Sequence, residues 1–386
     1  MTLTAAIAKI YSDATKSQRD HMIDVLETMN KQFCPTGPGG GVDPTCGSGK
    51  GGGGSGAAFQ GEPKTPAPPP PLKVNVDAKG QHGITKAARV GVGGEETPPP
   101  PKIGRLPNLT PREREVESAF ADAYEKNPDK VASDFLSLVK SQTKPGDPPT
   151  FGTDDAKCLS SAWMHPDQAT RAQNRATLNT PLHQTANAIA KKAFLQHLDT
   201  LKPGDEVLVT VGGCGAGKGY ALKNVEDALA MKKRAAAVWD SAGDQNATEN
   251  PWIQKEVEKR GLKASYVFVH VDPVTQWGHP DKGVIKRAGD PNDGRMVDAK
   301  VFADSYAIGA KNHAAFHQAH KNNPNANFVF IDNSGKPTKI DGIPPEALKL
   351  DRKALAKTAE KIAETHEAAP PHVKRGALMG SRIWED

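Results

Sequence analysis

The run Glu206–Tyr220, EVLVTVGGCGAGKGY, restricts the fold more than any other stretch of the chain. EVLVTV is short, apolar and rich in β-branched residues, the pattern of a strand buried on both faces. Glycines follow at once. Beyond them Tyr220–Met231, YALKNVEDALAM, places Leu222, Val225 and Leu229 on one helical face. Gly212, four further residues and Gly217-Lys218 give the spacing GxxxxGK. In such a loop the glycines let backbone N–H groups turn inward around phosphate oxygens, and the lysine reaches the terminal phosphates. Gly212, Gly213, Cys214, Gly215, Ala216, Gly217, Lys218 and Gly219 are therefore the candidate nucleotide-binding residues. The residue after the lysine is usually Ser or Thr, whose hydroxyl binds Mg²⁺; here it is Gly219. A second GK, in the segment 47–52, GSGKGG, has no strand before it and is read as linker.

From Glu206 onward strands and helices alternate, the sign of an α/β fold with a parallel sheet. Ala235–Trp239 reads as a second strand and Asn250-Pro251 as the start of a helix that runs through Arg260. Ser265–Val271 is a third strand, Val301–Asn322 a long helix, Asn327–Ile331 a fourth strand and Leu355–His366 a last helix. Upstream, Thr110 caps a helix with Pro111 at its first position and Glu113 completing a capping box; Asn127-Pro128 breaks it, and a second helix follows. Lys144–Thr153 reads as a loop. Leu178–Leu201 is a long helix with Thr180 as its cap and Pro181 at its first position.

Glycine and proline are concentrated in the first 110 residues, which hold 18 of the 37 glycines and 14 of the 32 prolines, so the apolar content of 37% understates the rest of the chain. The expected organisation is an amphipathic helix over 1–33, a disordered Gly/Pro-rich linker over 34–110 and a helical segment over 111–173. The nucleotide-binding domain then spans 174–350, with a C-terminal helix and tail over 351–386. GKGGGGSG is flexible, and PAPPPP and TPPPP are stiff polyproline spacers. Cys34 and Cys46 are too few for a structural zinc site. A net charge of +5 suits an anionic small ligand and does not call for nucleic acid. No apolar run reaches membrane-spanning length, and Thr2–Ile10 lacks a secretory core, so the expectation is a cytoplasmic protein with no membrane partner.

Parallel sheets bind ligands at the carboxyl ends of their strands, where Asp240, Asp272 and Asp332 fall. Asp240 is the candidate to hold Mg²⁺ or to orient an acceptor hydroxyl, with Asp244 as a weaker substitute. The cationic run over 282–295, KGVIKRAGDPNDGR, offers Arg287 and Arg295 to stabilise charge on a transferring phosphoryl group, with Lys286 beside them. His313, His317 and His320 share a helical face, read as a polar face rather than a metal site.

These pieces, over roughly Asn174–Leu350, look like the zeta-toxin family of P-loop kinases. VGGCGAGKG, the run VWDSAGDQNATENPWIQKEVEKRGLKASYVFVHVDP, GRMVDAKVF and FVFIDNSG carry the resemblance, in the family's order. The resemblance implies a P-loop kinase-like parallel sheet with flanking helices. It also implies transfer of the γ-phosphate of ATP (or GTP), with Mg²⁺, to a small-molecule hydroxyl, that of a UDP-amino sugar. Lys218 would hold the β- and γ-phosphates, Asp240 the metal, and Arg287 and Arg295 the transferring group; an antitoxin protein would be the partner. The chain departs from the pattern at Gly219. It also lacks, between Lys218 and Asp240, the extra strand on which the family carries an aspartate base, so Asp240 is assigned that role as well. Two other readings stand beside the kinase. One is a catalytically inactive nucleotide-binding module; the other is a phage- or virion-associated interaction protein in which residues 1–110 matter most.

Overall fold

The computed structural model describes residues 102–242, 246–281, 283–290 and 294–384. The N-terminal helix, the cysteines at 34 and 46, most of the linker and Asp244 lie outside the described residues. The composition places the end of the linker at 110, yet the last part of that span is held in place. Ile103 N–H donates to Glu125, Leu106 N–H donates to Glu117, and Leu106 is buried against Met379 and Ile383.

Helix α1 (Pro111–Lys126) begins with the expected capping box, and Asn127 ends it while capping α2 (Pro128–Gln142). The predicted loop after α2 contains a strand, β1 (Thr150–Gly152), which leads into one helical turn, α3 (Thr153–Ala156), and then α4 (Gln168–Thr177). Helix α5 (Asn179–Leu198) starts ahead of Thr180, so Thr180 is not its cap; the Thr180 hydroxyl instead donates to Asp298 at 2.9 Å. After β2 (Glu206–Val211) the predicted single helix is two, α6 (Lys218–Asn224) and α7 (Glu226–Arg234), because Val225 is extended. β3 (Ala235–Ser241) precedes α8 (Asn246–Lys259), which starts four residues earlier than expected and carries Pro251 inside. β4 (Lys263–His270), α9 (Pro273–Gly278), α10 (Val284–Ala288) and α11 (Ala299–His320) come next. β5 (Ala326–Asp332) and the short β6 (Thr338–Ile340) complete the sheet. α12 (Pro345–Leu348), α13 (Arg352–Thr365), α14 (Pro371–Ala377) and α15 (Met379–Ile383) close the fold.

The six strands lie in the order β1-β3-β2-β4-β5-β6; all neighbours are parallel except β5 and β6. β2 sits inside the sheet, and its residues alternate between two cores, as the two-residue period of a strand requires. Val207, Val209 and Val211 face the core that holds Phe151, Phe194, Trp239 and Tyr266. Leu208 faces the other, with Val238, Val267, Trp277 and Phe302. The first core is covered by α1, α2, α5 and α8, the second by α11, α13 and α14 among others. Residues 111–173 and 351–384 therefore share the cores of 174–350, and no structural boundary falls at 174 or 350.

β1, in a stretch that reads as loop, extends the sheet beyond β3 on the side away from β2. It adds to the free edge of β3 with Gly152 opposite Asp240, and Asp240 in turn lies opposite Thr210 of β2. A row of three strand ends thus runs from an upstream segment to the strand that leads into the glycines.

Candidate functional site

The glycine loop is pinned from two sides. Cys214 N–H donates to Ser305 Oγ at 3.0 Å, and the Tyr306 hydroxyl donates to the Cys214 carbonyl at 3.3 Å, both from α11. Asn333, just past β5, donates through Nδ2 to the Ala216 carbonyl at 2.8 Å. Gly217 has φ +74°, a conformation that excludes most side chains, and a Cβ there would meet Asn333 Nδ2 at 2.5 Å. At Gly213 a Cβ would fall 2.3 Å from the Tyr306 ring. These glycines are thus required by close approach as much as by turning.

Lys218 is the first residue of α6 and is largely buried. Its Nζ donates to the Gly212 carbonyl at 3.3 Å and stands 3.6 Å from Asp240 Oδ1. The Thr210 hydroxyl donates to the same oxygen of Asp240 at 2.5 Å. The lysine is therefore folded across the mouth of the loop and held by the end of β3. Arg287 lies on α10; its Nη2 would be 3.0 Å from a Cβ on Gly215, so the guanidinium abuts the loop. Burial raises the Tyr306 phenol well above its ordinary pKa, aided by the nearby Cys214, while the Arg287 charge works against that rise.

Arg295 reaches a different set of groups. Its Nη1 stands 3.1 Å from Asp154 Oδ2. Lys157, fully buried, donates to Asp154 at 2.6 Å and to Asn179 Oδ1 at 2.5 Å, with its ammonium 5.3 Å from the centre of the Trp163 ring. Burial opposes charge on Asp154, but Lys157 and Arg295 prevail and hold its pKa below the usual range. The neighbouring Asp155 behaves oppositely. Burial pushes it up to about 7; Arg295 opposes the rise, and Asp154 and Asp240 reinforce it. His183 is pushed down to about 4 by burial and by Lys157. The site therefore pairs one ionised and one readily protonated carboxyl just past the end of β1, the second beside Asp240.

The structure brings together the loop residues 212–219, Lys218, Asp240 and Arg287, and places Arg295 with Asp154. Lys286 is exposed, Asp272 caps α9 through Thr275 N–H, and Asp332 accepts from Ser334 N–H. His313 does not lie on a polar face. It is fully buried among Tyr266, Phe268, Phe316 and Phe330, bonded to Asn250 at 3.1 Å, and burial lowers its pKa to about 3. Asp154, Asp155, Thr210, Tyr306 and Asn333 are not singled out by the sequence. The Asn-Ser-Gly turn is the one visible signal for Asn333; the others depend on pairings between distant segments.

The residues present do not fit a protein-built Mg²⁺ cage. Gly219 offers no hydroxyl, Asp240 gives one oxygen to Thr210 and Lys218, and no group of three His, Cys, Asp or Glu converges among the described residues. The metal that the resemblance implies would have to be held by phosphate oxygens and water.

Fold and site together define a mixed α/β protein with a mostly parallel six-stranded sheet and a lysine-bearing glycine loop at the carboxyl end of an inner strand. No protein-family model matches the chain, and no curated protein matches it significantly. Among the described residues no helix is long and apolar enough to cross a membrane.

Proposed function

We propose that the protein binds ATP or GTP at the loop 212–219 and transfers its terminal phosphoryl group to the hydroxyl of a small molecule. The observation that carries this reading is the arrangement of cations around the loop. Lys218 spans its mouth, 3.3 Å from the Gly212 carbonyl, while Arg287 abuts it at Gly215. Phosphoryl transfer asks the protein mainly to position reactants and neutralise equatorial oxygens, and fixed cations in a partly enclosed cleft do both. Lys218 would shift from Asp240 to the β- and γ-phosphates, and Arg287 would meet the γ-phosphate. A UDP-amino sugar as acceptor and an antitoxin as partner are parts of the same reading that rest on the resemblance alone; a cytoplasmic location is carried over from the sequence.

Calorimetry on the full chain with ATP and with GTP tests the reading. Loss of one charge-assisted contact is worth about 1.5–3 kcal/mol, so Lys218→Ala should weaken binding roughly 10- to 150-fold. Absence of binding, or binding indifferent to Lys218, would refute it. A second reading, nucleotide binding without turnover, is favoured by Gly219. It predicts the same calorimetry but no phosphate release from bound ATP.

A further inference from the structure

We infer that Asp155, delivered by a strand that precedes the glycine loop in sequence, is the carboxylate that accepts the proton of the acceptor hydroxyl. This rests on the phosphotransferase reading and moves the acceptor role from Asp240 to Asp155. Asp154 and Asp155 follow β1 and Asp240 stands near the end of β3, and their partners separate them. Asp154 is taken by Lys157 and Arg295. Asp240 receives the Thr210 hydroxyl and faces Lys218. The Asp155 carboxylate makes no hydrogen bond or ion pair with any described residue. It is partly buried, and it folds back over Gly152: a Cβ on that glycine would stand 2.9 Å from Asp155 Oδ2 and 3.9 Å from Asp240 Cβ. Because Gly152 pairs in register with Asp240, the carboxylate hangs over the same strand ends that carry Lys218's partner. Asp155 also lines a small surface hollow with Thr150, Thr143, Lys144 and Lys232.

The chemistry stems from that position. The acceptor oxygen attacks the γ-phosphorus as its O–H proton passes to Asp155; the bond from phosphorus to the bridging oxygen breaks, and the diphosphate leaves with the electron pair, neutralised by Lys218 and Arg287. A base is most effective when its pKa lies near the working pH, and Asp155 is pushed up to about 7. The charged groups facing it are Arg295, Asp154, Lys157 and Asp240, with Lys144, Asp147 and Lys232 around the hollow. An ionised base is needed, so turnover should rise as pH increases through about 7 and level off above it.

The test uses the full chain, ATP as donor and water as the acceptor, reading phosphate release against pH beside ATP affinity by calorimetry. Asp155→Asn should lower the plateau rate at least ~100-fold and abolish the pH inflection, with ATP affinity within about threefold of wild type. Asp155→Glu should recover part of the rate. Gly152→Ala guards against misfolding: the residue has ordinary extended backbone, and its new methyl displaces only the end of the Asp155 side chain, so the rate should fall with stability nearly unchanged. Asp155→Asn within threefold of wild type, with the inflection intact, would overturn the assignment and leave the phosphotransferase reading standing. ATP bound by wild type without any phosphate release would overturn both, and no ATP binding would remove the nucleotide site itself.

Discussion

Replacing Glu249 should unfold the end of β3 and with it the site. Glu249, in the first turn of α8, is almost fully buried. Its Oε2 accepts from the Ser241 hydroxyl at 2.8 Å and the Trp239 indole N–H at 3.3 Å, so it grips the residues on either side of Asp240. Its Oε1 accepts from Asn187 Nδ2 at 3.3 Å and faces Lys191 Nζ at 3.2 Å, both on α5. Glu249→Ala takes away the carboxylate that accepts from three buried donors, and Lys191, about a third exposed, can turn outward to water. Breaking a buried charged contact of this kind costs about 3–5 kcal/mol. At roughly 2–4 °C per kcal/mol for a domain approaching this size, the melting temperature should fall by about 6–20 °C. Glu249→Gln should fall between, since its amide turns one acceptor into a donor that faces other donors. Thermal unfolding of the full chain, followed by circular dichroism, measures the shift. A fall under about 2 °C for Glu249→Ala would refute the view that this carboxylate organises the strand end.

Other consequences are open to direct measurement. Gly213→Ala should abolish ATP binding in calorimetry and cost about 1–3 kcal/mol in urea unfolding, because its methyl overlaps the Tyr306 ring that holds the loop. His313 has its folded-state pKa lowered from 6.5 to about 3, so protons bind the unfolded chain first; its contribution is complete above pH 6.5 and is lost as pH falls toward 3. Urea midpoints should therefore drop steadily below pH 6.5, and a His313→Leu, Asn250→Leu double variant should show a shallower drop. With no hydroxyl at 219, EDTA should change ATP affinity less than about threefold, whereas Gly219→Ser should make binding and turnover depend on Mg²⁺; strong metal dependence in the wild type would contradict the poor fit of these residues to a Mg²⁺ cage.

The inner strands are legible in the sequence because each is a continuous apolar run bounded by turn residues, and the loop because its spacing is local. The capping box at Thr110 and Glu113 is legible for the same reason. What escapes depends on partners far along the chain. Thr150-Phe151-Gly152 is too short to show a period, and only pairing with Val238–Asp240 makes it a strand. That pairing turns two aspartates just past a presumed loop into the edge of the site, where the sequence between Lys218 and Asp240 supplies no further carboxylate strand. His313 sits with His317 and His320 at helical spacing, but spacing does not reveal that this face meets the aromatic side of β4 and β5. Thr180 reads as a cap because Pro follows it; α4 instead runs almost directly into α5, and the hydroxyl serves Asp298.

The order of strands in the sheet differs from their order in synthesis. Gly152 leaves the ribosome roughly 90 residues ahead of Ser241, which at about 5–20 residues per second is a delay of roughly 4–20 s. During that interval Phe151 has no neighbouring strand, and Asp155 has no cleft to face. A chain arrested before β3 emerges carries the acceptor carboxylate but not the strand that stands beside it. The edge that is made first is thus completed only after the loop and its lysine are already in place.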